Sequence, residues 1–349
     1  MATIEVGILG ATGMVGQQFI ALLAQHPWFK VTWLGASERS AGKAYRDACA
    51  WRLPSPLSAD VAELKVAEAG QSAGKAPKLV FSGLDSSVAG EIEGAFAQAG
   101  HVIVSNSRNY RMEADVPLLI PEVNGDHLAL LKSQDARGWK GRIVTNPNCV
   151  VVVYAMALAP LRQFGLQTSI LTSLQAISGA GYPGVPSWDI LGNVIPFVGG
   201  GEEEKIETET NKILGTVKGG VVENHPVRVS AAVTRVPVQN GHTASIAVAL
   251  EQKPEPGAIV AAWNGFRGKA QEHDLPSAPK QPIVYLTEAN RPQPALDANR
   301  DGGMAVTVGR LRRCPVLDYK FVALGHNTIR GAAGVAILNA ELMHREGLL

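Results

Sequence analysis

Short apolar runs alternate with helical repeats over the first hundred residues. Four apolar runs predict buried strands, at residues 4–9, 30–34, 79–82 and 101–105. Apolar side chains at helical spacing predict helices over residues 14–25 and 88–99. This alternation predicts a parallel sheet with crossover helices. The intervening segment 54–77 is rich in Ser, Ala and Gly without a strong period, and it predicts a variable connection.

The rest of the chain mixes the two patterns. Two further strands are predicted at residues 143–145 and 171–177, and a strand followed by a loop at residues 234–243. Helices are predicted over the apolar segment 150–164, over an acidic segment that ends near residue 214, and over an amphipathic segment that ends near residue 342. The chain is therefore predicted to be an α/β protein.

The composition indicates a folded protein rather than a disordered one. A length of 349 residues corresponds to two domains at about 150 residues each. Charged residues make up 18% of the chain, below the roughly 25% of an average soluble protein. The net charge of +1 provides no global attraction to nucleic acid, and the longest apolar run, residues 150–159, is too short to span a bilayer. We expect neither a nucleic-acid nor a membrane partner.

The cysteines are few and widely spaced. Cys49, Cys149 and Cys314 are separated by 100 and 165 residues. Without a CxxC pair a zinc site is not expected, so we predict no metal. An odd, sparse count favours a reducing compartment over a disulfide framework. The N-terminus lacks the features of a secretory signal, so we expect a cytoplasmic protein with free thiols.

A glycine-rich turn follows the first predicted strand. The sequence from Gly10 to Gly16 reads GATGMVG and leads directly into a predicted helix. Strand, glycine turn and helix is the context of a dinucleotide-binding loop, in which the free N–H groups of the helix N-terminus meet phosphate. The spacing departs from the strict GxGxxG pattern, and a turn without ligand is the alternative.

The end of the second strand bears on the choice of cofactor. Ser37, Arg39 and Ser40 are suited to surround a 2′-phosphate, which favours NADP over NAD. Glu38 in the same loop is the kind of residue that holds the ribose hydroxyl of NAD, unless it points away. A solvated loop is the alternative interpretation.

Cys149 stands apart from the other cysteines. It follows Asn146-Pro147-Asn148 at the junction between a strand and a helix, where Asn is a good cap. The helix dipole there lowers a thiol pKa and favours the nucleophilic thiolate. A thiolate beside a nicotinamide suggests an acyl-enzyme oxidoreductase that passes through a thioester. Burial as an inert apolar side chain is the alternative, and we take Cys49 and Cys314 as structural.

The second half supplies candidates for a base and an anchor. His242 is suited to general base catalysis near neutral pH, and Arg235 to clamping a carboxylate. A turn at Asn240-Gly241 would bring them to one site. An ordinary surface His and a surface ion pair are the alternatives. The acidic run 202–204 by itself predicts a solvated first turn of a helix.

These motifs, in this order, resemble the aspartate-β-semialdehyde dehydrogenase family over almost the entire chain. The segments QAISGAGYPG and GEEEKIE resemble its archaeal and fungal-type branch. The resemblance is carried by GILGATGMVG (7–16), ASERSAGK (36–43), SNSRNYRM (105–112), NPNC (146–149), QAISGAGYPG (175–184), residues 195–207 with GEEEKIE, RVPVQNGHT (235–243) and NTIRGAAG (327–334).

The resemblance implies roles in catalysis and substrate binding. Cys149 would be the nucleophile and His242 the general acid/base, with Gln175 orienting the substrate. Arg235 would bind the substrate carboxylate, and Glu202 or its neighbour in the acidic run the amino group. The implied reaction is NADP-dependent reductive dephosphorylation of L-aspartyl 4-phosphate to the 4-semialdehyde, in lysine, threonine and methionine biosynthesis.

Further residues would hold phosphate and cofactor. The phosphate-binding set implied by the resemblance is Arg111, Lys205 and Asn109. The cofactor-binding set comprises Gly10, Thr12, Gly13, Met14 and Val15 at the pyrophosphate, Ser37, Arg39 and Ser40 at the 2′-phosphate, and Gly179 and Asn327 at the nicotinamide. The family commonly has Ser or Thr after the nucleophile, whereas this chain has Val150, so a hydroxyl contact there is missing.

The expected architecture has two domains. Residues 1–149 form a Rossmann-type NADP-binding domain with a doubly wound sheet, completed by a C-terminal helix over residues 329–349. Residues 150–328 form an α+β catalytic domain through which the family dimerises, so a homodimer or homotetramer is expected. Paralogues with the same fold, malonyl-CoA reductase and N-acetyl-glutamyl-phosphate reductase, are alternatives, as is a non-catalytic NADP-binding sensor in which Cys149 is merely buried.

Overall fold

The computed structural model describes residues 3–349 and begins with a parallel sheet. Its six strands have the order β3-β2-β1-β4-β5-β6, which is the Rossmann order and confirms the predicted sheet type. The strands are β1 (Ile4–Leu9), β2 (Phe29–Ala36), β3 (Val66–Glu68), β4 (Leu79–Ser82), β5 (Val102–Ser105) and β6 (Arg142–Thr145). The strand order changes direction beside β1, so a cleft opens at the carboxyl ends of β1 and β4.

Six α-helices lie in this half of the described chain. The elements are α1 (Met14–Leu23), α2 (Tyr45–Ala48), α3 (Ala59–Ala62), α4 (Ser86–Ala99), α5 (Pro121–Asn124) and α6 (Cys149–Leu158), with a 3-10 segment at Gly125–Arg137. The prediction of a mere connection over residues 54–77 was wrong. Residues 54–77 contain α3 and the edge strand β3, whose Val66 is buried and pairs with Leu34. A three-residue strand is too short to show a period.

The second half is built on a mixed sheet of six strands. Their order is β10-β7-β11-β14-β13-β12. The strands are β7 (Leu166–Gln175), β10 (Arg228–Arg235), β11 (His242–Leu250), β12 (Ile283–Leu286), β13 (Val306–Arg313) and β14 (Tyr319–Gly325), and a separate hairpin pairs β8 (Thr216–Lys218) with β9 (Val221–Glu223). Burial alternates along most of β7, so one face of the sheet packs on helices and the other does not.

The remaining helices lie against one face of this sheet or against the first half of the chain. They are α7 (Ser187–Ile190), α8 (Glu202–Ile213), α9 (Pro256–Gly265), α10 (Lys269–Glu272), α11 (Pro294–Asp297) and α12 (Gly334–Arg345). Residues Ala333, Ile337 and Leu338, at and around the start of α12, lie in the same apolar cluster as β1. Within residues 3–349, every helix is too short or too polar to cross a bilayer.

Helix α6 links the two halves. Every residue of α6 after Cys149 is buried, and its apolar side chains lie in the core of the second sheet. The predicted helix over residues 150–164 is α-helical only to Leu158. It continues as a 3-10 segment at Ala159–Phe164, where Pro160 has no N–H to donate. A helix buried on all sides holds its first residue, Cys149, in a fixed position between the sheets.

Candidate active site

A cleft of about 970 Å³ runs from the turn after β1 to the start of α6. Gly10 lies in this turn with φ of +72°, a backbone conformation that residues other than glycine rarely adopt. A Cβ at Gly16 would lie 2.3 Å from the carbonyl oxygen of Gly10, so only glycine permits this close packing. Gly13 caps α1 without a side-chain hydrogen bond, which leaves N–H groups of the first turn free for an anion.

The predicted cofactor residues line the same cleft. Gly10, Thr12, Gly13, Met14 and Val15 lie at its start, and Ser37, Arg39 and Ser40 at its edge beside β2. The cleft is also lined by Lys43, which the sequence analysis did not single out. The sequence contained one indication of Lys43, which is a second positively charged residue shortly after Arg39. Glu38 is exposed and does not line the cleft, so the feature that favoured NAD is absent from its wall.

Cys149 is the first residue of α6, and Asn148 caps that helix as predicted. The Asn148 Oδ1 atom accepts a hydrogen bond of 2.9 Å from the Val150 N–H. The Asn148 side chain thus satisfies the backbone N–H of Val150, the position at which the family commonly has Ser or Thr. The environment of Cys149 does not favour the thiolate that the helix dipole alone predicts. Burial and the nearby Glu202 raise the pKa of Cys149 to about 12, although Arg111 and Arg235 act in the opposite direction.

His242 lies beside this thiol at the start of β11. Its Nε2 atom is 3.2 Å from Cys149 Sγ, and its Nδ1 atom accepts a 3.0 Å hydrogen bond from the Ala176 N–H. Because Nδ1 accepts, the neutral ring carries its proton on Nε2, facing the sulfur. Burial, Arg235 and His326 lower the pKa of His242 to about 3. The resting pair therefore consists of a thiol and a neutral imidazole.

Arg235 and Gln175 reach the site from the ends of two neighbouring parallel strands. The register of β10 and β7 places the two residues side by side. Arg235 Nη1 donates 2.7 Å to the Ala176 carbonyl, and both side chains are buried. A Cβ at Gly179 would lie 2.9 Å from Arg235 Nη1 and 3.1 Å from His242 Cε1. The absence of a side chain at residue 179 thus lets the loop lie directly over both side chains.

The turn at Asn240-Gly241 brings Arg235 and His242 together, as expected from the sequence. Gly241 has φ of +97°, and its N–H donates 2.9 Å to Asn327 Oδ1. Asn327 also donates from Nδ2 to Ser178 Oγ at 2.8 Å and lines the cleft. It therefore ties the loop after β7 to this turn.

Helix geometry separates the members of the acidic run. Glu202 points into the site, where its Oε1 accepts from Asn148 Nδ2 at 2.7 Å and from Gln175 Nε2 at 3.4 Å. Glu203 instead accepts from the Val233 N–H, because successive helical residues are about 100° apart. Lys205 is one turn further along α8, with Nζ 3.2 Å from Glu202 Oε2. Glu202 is thus the member of the run that reaches Cys149.

Arg111 is buried beside this group, and Asn109 is not part of it. Arg111 lines the cleft and donates from Nη2 to the Asn106 carbonyl at 2.7 Å. The structure places Asn109 outside the cleft, where it is exposed and donates from Nδ2 to the Ser86 carbonyl on α4. The chain reverses at this turn, so neighbours in sequence face opposite sides.

Two residues of α8 that the sequence analysis missed complete the site. Glu209 Oε1 accepts from Arg111 Nη1 at 2.8 Å, and its Oε2 accepts from the Asn148 N–H at 2.7 Å. Lys212 donates to three backbone carbonyls, those of Arg111, Glu113 and Val116, at 2.7 to 2.9 Å. Their spacing in the sequence could have indicated them, because residues 202, 205, 209 and 212 share one face of a helix.

Comparisons with known proteins agree with this geometry. Residues 5–131 match the semialdehyde dehydrogenase NAD binding domain, and residues 158–330 the semialdehyde dehydrogenase dimerisation domain. The chain is 47% identical to the aspartate-semialdehyde dehydrogenase of Archaeoglobus fulgidus over 346 residues, 99% of each chain. It is 46% identical to that of Schizosaccharomyces pombe over the full length of both. A crystal structure of the Candida albicans enzyme with NADP superposes with a TM-score of 0.91 at 41% identity, covering 99% of this chain and 100% of that one.

Proposed function

The chain belongs to the aspartate-semialdehyde dehydrogenase family, and we propose that it converts L-aspartyl 4-phosphate to L-aspartate 4-semialdehyde with NADP as cofactor. The observation that carries this proposal is the contact between Cys149 Sγ and His242 Nε2 in the cleft that begins at the glycine turn. The curated relatives are named for this activity, which favours it over the malonyl-CoA and N-acetyl-glutamyl-phosphate paralogues. The product serves lysine, threonine and methionine biosynthesis.

The cofactor site fits NADP by its own chemistry. The free N–H groups at the start of α1 and the glycine turn suit a pyrophosphate. Ser37, Arg39 and Ser40, together with Lys43, suit a 2′-phosphate, and Gly179 and Asn327 border the nicotinamide end near Cys149. NADP, when bound, exchanges a hydride with the acyl carbon. The protein's contribution is to hold that carbon against Cys149 within the cleft.

Cys149 is the proposed nucleophile. As its sulfur attacks the acyl carbon, the C–O bond breaks and phosphate leaves with that electron pair and with the thiol proton, so a thioester remains on Cys149. When hydride is delivered to the thioester carbon, the C–S bond breaks, the semialdehyde is released, and the sulfur regains a proton from solvent. His242 holds a proton on Nε2, within reach of both the sulfur and an oxygen on the adjacent carbon. In this tautomer His242, the proposed general acid/base, is placed to donate a hydrogen bond to that oxygen as it gains charge.

The substrate-binding residues divide by charge. Arg235 offers its remaining donors to the substrate carboxylate, and Glu202 offers a carboxylate to the amino group. Gln175, held beside Glu202, orients the acyl group near Cys149. Arg111 and Lys205 supply the positive charge for the phosphoryl group. Separate sites for the opposite charges of the substrate fix its orientation.

The match to a dimerisation domain indicates an oligomer. A homodimer or homotetramer is our expectation. Large apolar side chains within the matched region are exposed in the single chain, among them Trp188 at 94% and Phe197 at 76%. Such exposure is typical of surfaces that meet another subunit. We expect a cytoplasmic location, because an odd and sparse set of cysteines favours a reducing compartment.

Steady-state kinetics test the proposed function. The wild-type protein should form NADPH from aspartate semialdehyde only when inorganic phosphate is present, and more efficiently with NADP than with NAD. Cys149→Ala should abolish turnover and keep NADP binding. Activity confined to malonyl-CoA or N-acetyl-glutamyl phosphate would contradict the assigned substrate. A wild-type kcat in Cys149→Ala would contradict the covalent mechanism, and the absence of any acyl-enzyme would favour a sensor.

A further inference from the structure

Glu209 is a buried carboxylate between two parts of the active site. One oxygen accepts from the guanidinium of Arg111 at 2.8 Å, and the other accepts from the backbone N–H of Asn148 at 2.7 Å. Only 2% of Glu209 is exposed. Buried carboxylates are costly unless they are paired. Here both oxygens have partners. Arg111 is a proposed phosphate ligand, and Asn148 immediately precedes the proposed nucleophile Cys149.

The two partners of Glu209 are themselves tightly held. Asn148 caps α6 through its Oδ1 and donates from Nδ2 to Glu202, so its backbone sets the start of the helix that carries Cys149. Arg111 is fixed on its other side by the carbonyl of Asn106. Glu209 therefore bridges the proposed phosphate-binding cation and the residue next to the nucleophile.

Helix α8 does not depend on this bridge for its own position. Lys212, one turn beyond Glu209, donates to the carbonyls of Arg111, Glu113 and Val116. Ile206 and Ile213 of the same helix lie in the apolar core. These contacts fasten α8 to the loop of the first half. We therefore expect the helix to stay in place when the charge of Glu209 is removed.

The charge of Glu209 also affects the environment of Cys149. The charged groups that face this thiol are Glu202, Arg111 and Arg235, with the neutral His242 beside them. The positive charge of Arg111 acts on the thiol in the direction that favours thiolate. Pairing with Glu209 reduces that effect, because the two opposite charges lie within 2.8 Å of each other.

We propose that Glu209 is a positioning residue, which fixes the phosphate-binding guanidinium of Arg111 relative to the first turn of the nucleophile helix. The leaving phosphate and the attacking sulfur are then aligned before substrate arrives. This inference rests on the proposed function, because it takes Arg111 as a phosphate ligand. Glu209 itself touches neither substrate nor the reacting sulfur.

Glu209→Gln tests the bridge through kinetics. A carboxamide has one accepting and one donating end, so it can accept from Arg111 or from Asn148 but not from both. We expect the KM for inorganic phosphate to rise about tenfold, equivalent to about 1.4 kcal/mol. The KM for aspartate semialdehyde and the Kd for NADP should stay within twofold. In an Arg111→Ala background, Glu209→Gln should add no further increase in the phosphate KM.

The matched control is Glu207→Gln. Glu207 lies on the same helix and also accepts from a backbone N–H, that of Ala231 at 3.0 Å, but it is on the face that packs on β10. Its substitution should leave the phosphate KM within twofold of the wild type. A similar increase in both variants would mean a general effect of altering α8, which would overturn the proposal.

Alkylation of Cys149 provides a readout that needs no turnover. In Glu209→Gln the unpaired charge of Arg111 should lower the thiol pKa and speed reaction with iodoacetamide at pH 8. Since lower basicity partly offsets a larger thiolate fraction, one pKa unit corresponds to about a threefold faster rate. The rate is followed by mass spectrometry of the Cys149 peptide. A change below twofold in either the phosphate KM or the alkylation rate overturns the proposal.

Two further outcomes are distinguishable. If Glu209→Gln does not fold, Glu209→Asp keeps the charge but shortens the reach by one methylene, and the same rise in phosphate KM is expected. If the wild-type protein shows no phosphate-dependent oxidation, the proposed function fails. The alkylation comparison then decides by itself whether Glu209 controls the nucleophile.

Discussion

The Nε2 atom of His242 lies 3.2 Å from Cys149 Sγ, while its Nδ1 atom accepts a hydrogen bond from the Ala176 N–H. The backbone of Ala176 thereby selects the tautomer with its proton toward the sulfur. Formation of imidazolium would place two N–H groups against each other at Nδ1. Together with burial and the charge of Arg235, this arrangement keeps the ring neutral. The nucleophile and its partner are therefore held uncharged until substrate binds.

A resting thiol predicts a characteristic pH dependence of Cys149 alkylation. The pKa of this thiol is raised to about 12, chiefly by burial. Below its pKa each pH unit increases the reactive thiolate about tenfold. The rate of modification by iodoacetamide should therefore keep rising from pH 7 to pH 10 without a plateau. Peptide mass spectrometry measures it residue by residue.

Cys314 is an internal control for that experiment. Backbone N–H groups of Leu317 and Val316 lower its pKa, in contrast to Cys149. Its modification should be faster at pH 7 and should level off at a lower pH. A plateau for Cys149 below pH 8 would contradict the resting thiol and would favour the thiolate expected from the helix dipole alone.

Arg235→Lys should weaken substrate binding although the charge is retained. One end of the guanidinium is occupied by the Ala176 carbonyl, and the planar fork leaves other donors for a carboxylate. Lysine cannot satisfy both partners in this geometry. We expect the KM for aspartate semialdehyde to rise about 10- to 100-fold, since charge-assisted hydrogen bonds contribute roughly 1.5–3 kcal/mol.

Arg228→Lys is the control, because Arg228 begins the same strand but is exposed and donates to Thr168. Its KM should equal that of the wild type within a factor of two. Equal KM values for aspartate semialdehyde in Arg235→Lys and the wild type would show that Arg235 does not bind the carboxylate.

Arg39→Ala should change the cofactor preference. Arg39 lines the cleft beside Ser37 and Ser40, whereas the neighbouring Glu38 does not. Removing the guanidinium should raise the Kd for NADP about tenfold, because one hydrogen bond to a charged group is lost. Binding of NAD should change less than twofold. Isothermal titration measures both values.

Arg46→Ala controls for loss of positive charge in the same region, since Arg46 pairs with Glu63 at the surface. It should leave both dissociation constants unchanged. A parallel loss of NADP and NAD affinity in Arg39→Ala would place Arg39 elsewhere than at the 2′-phosphate.

Arg330→Met should destabilise the protein strongly. Arg330 and Glu122 are fully buried and share two hydrogen bonds of 2.8 Å. Removing the cation leaves a buried carboxylate without its partner, at a cost of about 3–5 kcal/mol in the free energy of unfolding. The turn that holds Arg330 also places Gly331 against Cys149, where a Cβ would lie 2.8 Å from the cysteine Cβ. Urea denaturation measures the loss.

The double variant Glu122→Leu/Arg330→Met should recover part of that stability, because no unpaired charge remains. The exposed pair Lys218–Glu223 offers a comparison, and Lys218→Met should change the stability by less than about 1 kcal/mol. If the double variant is no more stable than the single one, packing rather than charge accounts for the effect.

Local patterns in the sequence were sufficient for much of the first sheet and for several site residues. The predicted strand at Ile4–Leu9 and the glycine turn after it are both found in the structure. The Asn148 cap could be predicted because it depends on a residue two positions away. Strand β3 could not, since its three residues are buried through pairing with β2 rather than through a period of their own.

The sequence by itself determined which residues have the chemistry for this site: the thiol of Cys149, the imidazole of His242 and the guanidinium of Arg235. Only the tertiary structure decided how they act. Burial and Glu202 reversed the pKa shift expected for Cys149, and the Ala176 N–H chose the tautomer of His242. Helix α8 brought Glu209 between Arg111 and Asn148, while a chain reversal left Asn109 outside the cleft. Electrostatic environment depends on distances between residues far apart in the chain, which short-range patterns do not contain.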